Sequence, residues 1–209
     1  MRESMFIRLF AGVPSDCFGA IPLVPLGWWL LSIGAFLLAA GIYAERDRKL
    51  EALSLYRYRT VEGWWKRRFG KGLLSGIRTT FLFLLLVLSW DIAMGNISLL
   101  SPQLLAKIII LWLFHSVSMA ALFVLLDLFP VRRFAPGTLF LLEGVTFIIG
   151  CQFHAVSHVM YGMWGMYLQS SLYGTEGFPA GPVIAAEAVL PAAGFLIGRK
   201  YLKKGTDFV

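Results

Sequence analysis

Charge is the scarcest commodity in this 209-residue chain. Asp, Glu, Lys and Arg together make up 15% of it, against 58% for the apolar residues. A soluble domain usually carries about 25% charge and roughly 45–50% apolar residues. That deficit, with a mean hydropathy of +0.72, excludes an ordinary water-soluble fold and a disordered chain. Cysteine is almost absent too. Cys17 and Cys151 are the two in the chain; they lie far apart in unlike contexts, so no disulfide scaffold is expected. Histidine is limited to three residues. At 23.3 kDa the chain has room for a handful of membrane spans and no sizeable soluble domain. The expected fold is an all-α polytopic membrane protein, one transmembrane domain over residues 1–209.

What charge there is comes in clumps, and the gaps between clumps are the spans. The first apolar run, Ile21 to Ala44, opens with Pro22 and Pro25, where a helix tolerates a missing N–H. Trp28 and Trp29 sit near its start, as interfacial belt residues do. Further runs cover Leu73 to Met94, Leu104 to Phe129, Gly137 to about Ser157, and Gly181 to Gly198. Five spans are therefore expected. The segment before them, 1–20, is interrupted by Arg8, Pro14 and Asp16. It reads as an external N-terminal segment, neither a span nor a signal peptide.

The chain's net charge of +7 reports orientation, not nucleic-acid binding. Segment 45–72 alone holds nine Lys and Arg against four acids. The turn 130–136 and the tail 199–209 are also basic, whereas 95–103 and 159–180 contain neither Lys nor Arg. Strict alternation puts the three basic segments on one side. The positive-inside rule makes that side cytoplasmic, with the N-terminus outside and the C-terminus inside a cell membrane.

Within the basic loop, Leu53, Tyr56, Val61, Trp64, Trp65 and Phe69 roughly follow a helical spacing of three to four. Such a helix suits anionic lipid, with Trp at headgroup depth. It also suits a protein partner, because Arg and aromatic residues dominate interface energetics. The runs Ile21-Pro22, Gly27-Trp28-Trp29, Glu45-Arg46-Asp47, Leu55-Tyr56-Arg57-Tyr58-Arg59 and Gly63-Trp64-Trp65-Lys66-Arg67 resemble the small permease subunits of ABC-2-type exporters. That resemblance implies an amphipathic cytoplasmic coupling helix, with Arg57, Tyr58, Arg59, Trp64, Trp65 and Lys66 inserting into an ABC ATPase subunit dimer. It also implies a second copy or sister permease. Export of a peptide or lipophilic antimicrobial compound, or immunity to one, would be the function. Such permeases usually have six spans, and here the first would be missing. Segment 159–180 would match the external re-entrant helices that precede their last span.

An ATPase within this chain is not expected. Gly63 to Gly72 is the nearest approach to a phosphate loop, but six residues separate Gly63 from Gly70 and Gly72 stands where Ser or Thr should hold magnesium. ATP and Mg would therefore be bound by the partner, and no cofactor by this chain.

Ionisable residues inside spans are expensive and mark functional positions. Asp91, Lys107 and Asp127 lie near span ends, where snorkelling reaches water. Glu143 and Glu187 lie deeper and must be protonated, paired or turned to a wet cavity. They are candidates for a translocation pathway or a dimer seam, together with His154 and His158. On a continuous helix, Glu143, Cys151, His154 and His158 share one stripe, and His154 with His158 has the i, i+4 spacing of a metal pair. The rival to the transporter is thus a membrane enzyme or metal/haem protein centred on Cys151, His154 and His158. The Glu of a His-Glu-x-x-His zinc motif is lacking, and no metal is expected.

Overall fold

The computed structural model describes residues 4–14, 22–55, 60–129, 133–175 and 177–206. They form seven α-helices: α1 (Met5–Phe10), α2 (Leu23–Leu55), α3 (Val61–Ala93), α4 (Pro102–Leu126), α5 (Ala135–Gln152), α6 (His154–Ser157) and α7 (Ala180–Thr206). Among the described residues there is no β-strand, only an isolated bridge between Ser170 and Phe178. Five of the helices, α2, α3, α4, α5 and α7, are long and apolar enough to cross a membrane. The chain is a helical, multi-pass membrane protein.

α4 is the hub. In its most apolar stretch 67% of residues are buried inside the protein, against 22–33% in the other four spans. Those four surround it and turn Leu31, Leu38, Leu82, Leu86, Leu141 and Leu196 outward, the apolar exterior that lipid solvates. Small residues allow the close approaches. Gly76 of α3, for instance, leaves so little room that an added Cβ would lie 2.5 Å from that of Ala120 on α4.

α2 and α3 are each 33 residues long, about 50 Å at 1.5 Å per residue. A bilayer core is about 30 Å thick, so both overhang it by about 20 Å. The overhang is the basic stretch. Glu45 to Leu55 contains neither Gly nor Pro and is made largely of strong helix formers, so the span simply continues. α3 starts where Thr60 caps it, its hydroxyl oxygen accepting from the Gly63 N–H at 3.2 Å. Residues 61–69 are therefore the first turns of α3 and not a separate helix. Glu62 pairs with Arg199 at 2.7 Å, Arg68 pairs with Asp127, and Phe129 packs on Tyr201. These contacts bring the start of α3, the residues that end α4 and the last turns of α7 together at one end of the bundle.

The other end is closed by chain that the spans leave over. Described residues 4–14 are not an external appendage. Phe6, Phe10 and Val13 are fully buried, and Asp91, near the end of α3, accepts from Ser4 Oγ (2.6 Å), Met5 N (2.9 Å) and Phe6 N (2.8 Å). Asp91 thus satisfies the open N–H groups of α1. It is buried instead of snorkelling. The same holds for Asp127, which is paired with Arg68, while Lys107 donates to the Leu172 carbonyl at 3.3 Å. The link from α5 to α7 joins this plug: Leu168 N donates to Ala11 O, and Gln169 Nε2 donates to the carbonyls of Val13 and Pro14.

Candidate functional site

Three spans each contribute one ionisable side chain to the same point. His115 of α4 sits between Glu143 of α5 and Glu187 of α7. Its Nδ1 is 2.7 Å from Glu187 Oε1, within a hydrogen bond, and its Nε2 is 2.9 Å from Glu143 Oε1. The second contact has the distance of an ion pair but lacks hydrogen-bond alignment. All three side chains have zero exposure.

The depth of the cluster follows from helix geometry. Glu187 lies seven residues past the start of α7, and Glu143 nine before the end of α5. His115 is thirteen residues past the start of α4. At 1.5 Å per residue the cluster is about 10–20 Å below the plugged end, in the middle of the hydrocarbon. Charge there has to be neutralised locally.

The surroundings are aromatic and selectively polar. The rings of Tyr161, Trp29 and Trp112 lie 5.0, 6.0 and 6.3 Å from the imidazole, centroid to centroid. The Ser118 hydroxyl donates to the His115 carbonyl at 2.8 Å, which leaves its oxygen to accept from the Tyr161 hydroxyl at 2.9 Å. Glu143 Oε2, Glu187 Oε2 and the indole nitrogens of Trp29 and Trp112 are buried with no protein hydrogen-bond partner. Buried polar atoms are rarely left so. Pro191, inside α7, lies one turn beyond Glu187 and has no N–H, so the Glu187 carbonyl loses its helical donor.

The link after α5 completes the enclosure. It turns back along α5 and brings Tyr161 to Met163 beside Glu143 to Gly150. Gly162 N donates to Thr146 Oγ1 at 2.7 Å, and Gly162 lies against the Glu143 carbonyl with no space for a side chain. Gly165 has φ +81, and a Cβ there would stand 2.6 Å from His115 Cγ. Only glycine combines that backbone with that approach.

The sequence-derived candidates are placed as follows. Glu143 and Glu187 meet at one centre, and their common partner, His115, is the residue the sequence reading passed over. Trp65 is fully buried in its own protein, stacked with Phe195 and tilted against Phe69, and its Nε1 donates to the Phe195 carbonyl at 2.9 Å. Trp64 is buried beside it under the Arg68 guanidinium. Neither indole is presented to a partner, because α7 occupies the groove that they fill. Lys66 is exposed. Arg57, Tyr58 and Arg59 lie outside the described residues. Trp29 belongs to the core instead of an interfacial belt.

The stripe through Glu143, Cys151, His154 and His158 does not form. α5 ends at Gln152, since Phe153 has φ −122 and ψ 86, and α6 is one turn long. Cys151 is buried on α5. His158 caps α6, and its carbonyl accepts from Trp164 Nε1 at 3.1 Å. The side chain of His154 lies outside the described residues. Among the described residues, no three His, Cys, Asp or Glu side chains converge as metal ligands. In the central cluster the two imidazole nitrogens face different carboxylates.

No family model, curated protein or solved structure matches the chain.

Proposed function

We propose that this chain is the membrane-embedded permease subunit of an ATP-driven exporter of the ABC-2 kind. The cargo class is a peptide or a lipophilic antimicrobial compound, with immunity as the physiological use. The observation that carries the reading is the pair of 33-residue helices, α2 and α3. They run about 20 Å past the hydrocarbon at the basic end, far enough to reach a peripheral ATPase. The link between them holds Arg57, Tyr58 and Arg59, and exposed Lys66 follows on the first turns of α3. Because Trp64 and Trp65 are packed against α7, the docking contact in this reading comes from the guanidinium groups and Tyr58. The indoles make the arm stiff, so that a push at its tip moves α3 and α7 together. The segment after α5 acts as the re-entrant cap on the outer end, and the N-terminus is outside. One five-span chain is too small to enclose a two-sided pathway, so a second copy or sister permease completes it.

The test is copurification of an ABC ATPase with the chain from native membranes, together with vanadate-sensitive hydrolysis. Arg57→Ala and Arg59→Ala should leave the chain inserted, lose the ATPase and lower the hydrolysis at least tenfold. Variants that keep both the partner and normal hydrolysis would remove the exporter reading.

A further inference from the structure

The geometry points to the Glu143–His115–Glu187 cluster as a binding site for an exchangeable proton, carried on Glu143. This goes beyond the exporter reading and stands without it.

The inference starts from counting protons. A carboxylate oxygen 2.7 Å from Nδ1 and another 2.9 Å from Nε2 each need a proton on one side of the contact, or lone pairs would face lone pairs. Two protons satisfy both contacts. The cluster then carries a net charge of −1, whether the imidazole is charged or one carboxyl is protonated. A third proton makes it neutral. Among the described residues packed around it, α2 presents Trp29, α4 presents Trp112 and Ser118, and the link after α5 presents Tyr161. None of these is a cation. The basic residues nearest in sequence, Lys107 before His115, Arg133 before Glu143 and Arg199 after Glu187, are eight, ten and twelve residues away. An uncompensated charge is disfavoured at this depth, so the cluster takes up a third proton, and it is the one whose release leaves both imidazole contacts satisfied.

Glu143 is assigned as its carrier by asymmetry. Glu187 Oε1 makes an aligned hydrogen bond with Nδ1, whereas the Glu143 contact with Nε2 is short but misaligned and Glu143 Oε2 has no protein partner. Glu143 is therefore the carboxyl that can hold the third proton without breaking an aligned bond. The link also lies against the Glu143 backbone carbonyl at Gly162 and is tied to the next turn of α5 through Thr146. Movement of the segment from Tyr161 to Gly165 would change Glu143's surroundings directly. Loading and unloading of the proton is thereby tied to the one part of the wall that is not a continuous helix.

The experiment is infrared titration of the purified full-length chain in lipid bilayers, from about pH 5 to 9, with and without sodium. A protonated carboxyl that lacks strong hydrogen bonds gives a C=O band separate from those of the exposed acids. The expected result is one such band per chain, independent of sodium, abolished by Glu143→Gln and retained in Glu62→Gln. A band of full amplitude in Glu143→Gln would overturn the assignment. So would a band that appears only when sodium is withdrawn, which would make the site one for a metal cation. If Glu143→Gln does not fold, wild-type protein still decides: absence of the band throughout the range refutes a bound proton.

Discussion

Replacing His115 by Leu tests whether the central cluster is an ionic unit or three incidental neighbours. Leucine fills much of the same volume, so the cavity contribution is small. What changes is the charge. With the imidazole present, neutrality needs one protonated carboxyl and an imidazolium. Without it, both carboxyls must be protonated. A glutamate with an aqueous pKa of about 4.3 costs about 3.7 kcal/mol to protonate at pH 7, whereas an imidazole of about 6.5 costs about 0.7 kcal/mol. The variant exchanges the second cost for the first, a deficit of about 3 kcal/mol. That agrees with the roughly 3–5 kcal/mol lost when one partner of a buried ion pair is removed. The sign of its pH dependence follows. Above about pH 6.5 both costs rise together and the deficit is constant. Below that only the carboxyl cost keeps falling, so the deficit shrinks to about 1 kcal/mol at pH 5. Reversible unfolding in mixed micelles at the two pH values measures both numbers. Replacing all three residues by Leu should recover most of the loss, because a well-packed apolar core often matches a buried ionic one. A single variant within about 0.5 kcal/mol of wild type, or a deficit equal at pH 5 and pH 7, would refute the charge argument.

Two further outcomes are expected. Trp65→Ala should destabilise the protein by about 3–5 kcal/mol in the same unfolding assay, from loss of the packed indole, and Trp65→Phe by about 1 kcal/mol, from loss of the bond to the Phe195 carbonyl; unchanged stability in Trp65→Ala would mean that the indole serves a partner instead. In a Cys17→Ser background, a membrane-impermeant thiol reagent added to sealed cells should label Ser98→Cys and leave Thr60→Cys untouched, and the reverse pattern would invert the orientation.

The spans were legible because hydrocarbon imposes length and polarity together. Five charge-poor runs gave five helices, and α4 begins two residues before and ends three residues before its expected run. The helix ends were not legible from hydropathy. Residues 45–55 look like a loop if charge alone is read, yet Glu45-Arg46-Asp47-Arg48-Lys49-Leu50-Glu51-Ala52 is a run of strong helix formers except for Asp47. With a spanning helix already nucleated before it, nothing stops propagation. The other end shows the converse. Residues 4–14 are too short to span, yet Phe6, Leu9, Phe10 and Val13 recur at three- and four-residue intervals. That is the stripe of a segment with a core to bury against, and Ser4 stands at its cap.

The site was half legible, for a reason that lies in how membrane interiors balance charge. Glu143 and Glu187 could be recognised one at a time as needing partners. Their partner does not show in histidine spacing, since His115 has no second histidine nearby in the chain. Charge bookkeeping finds it directly: of the residues well inside the five apolar runs, His115 is the one base that can meet two deep acids. Spacing along the chain carries no information about such a contact, since the pairs are separated by 28 and 72 residues. The aromatic side chains were misplaced by the same one-dimensional view. A Trp near a span end reads as an interfacial anchor, and Trp28, half-buried, is compatible with that. Trp29, one residue on, faces 100° around the helix and packs edge-on against Trp112 at 5.1 Å, beside the imidazole. Which of two adjacent indoles faces lipid and which faces the ionic centre is decided by where α4 lies, and that is a tertiary fact.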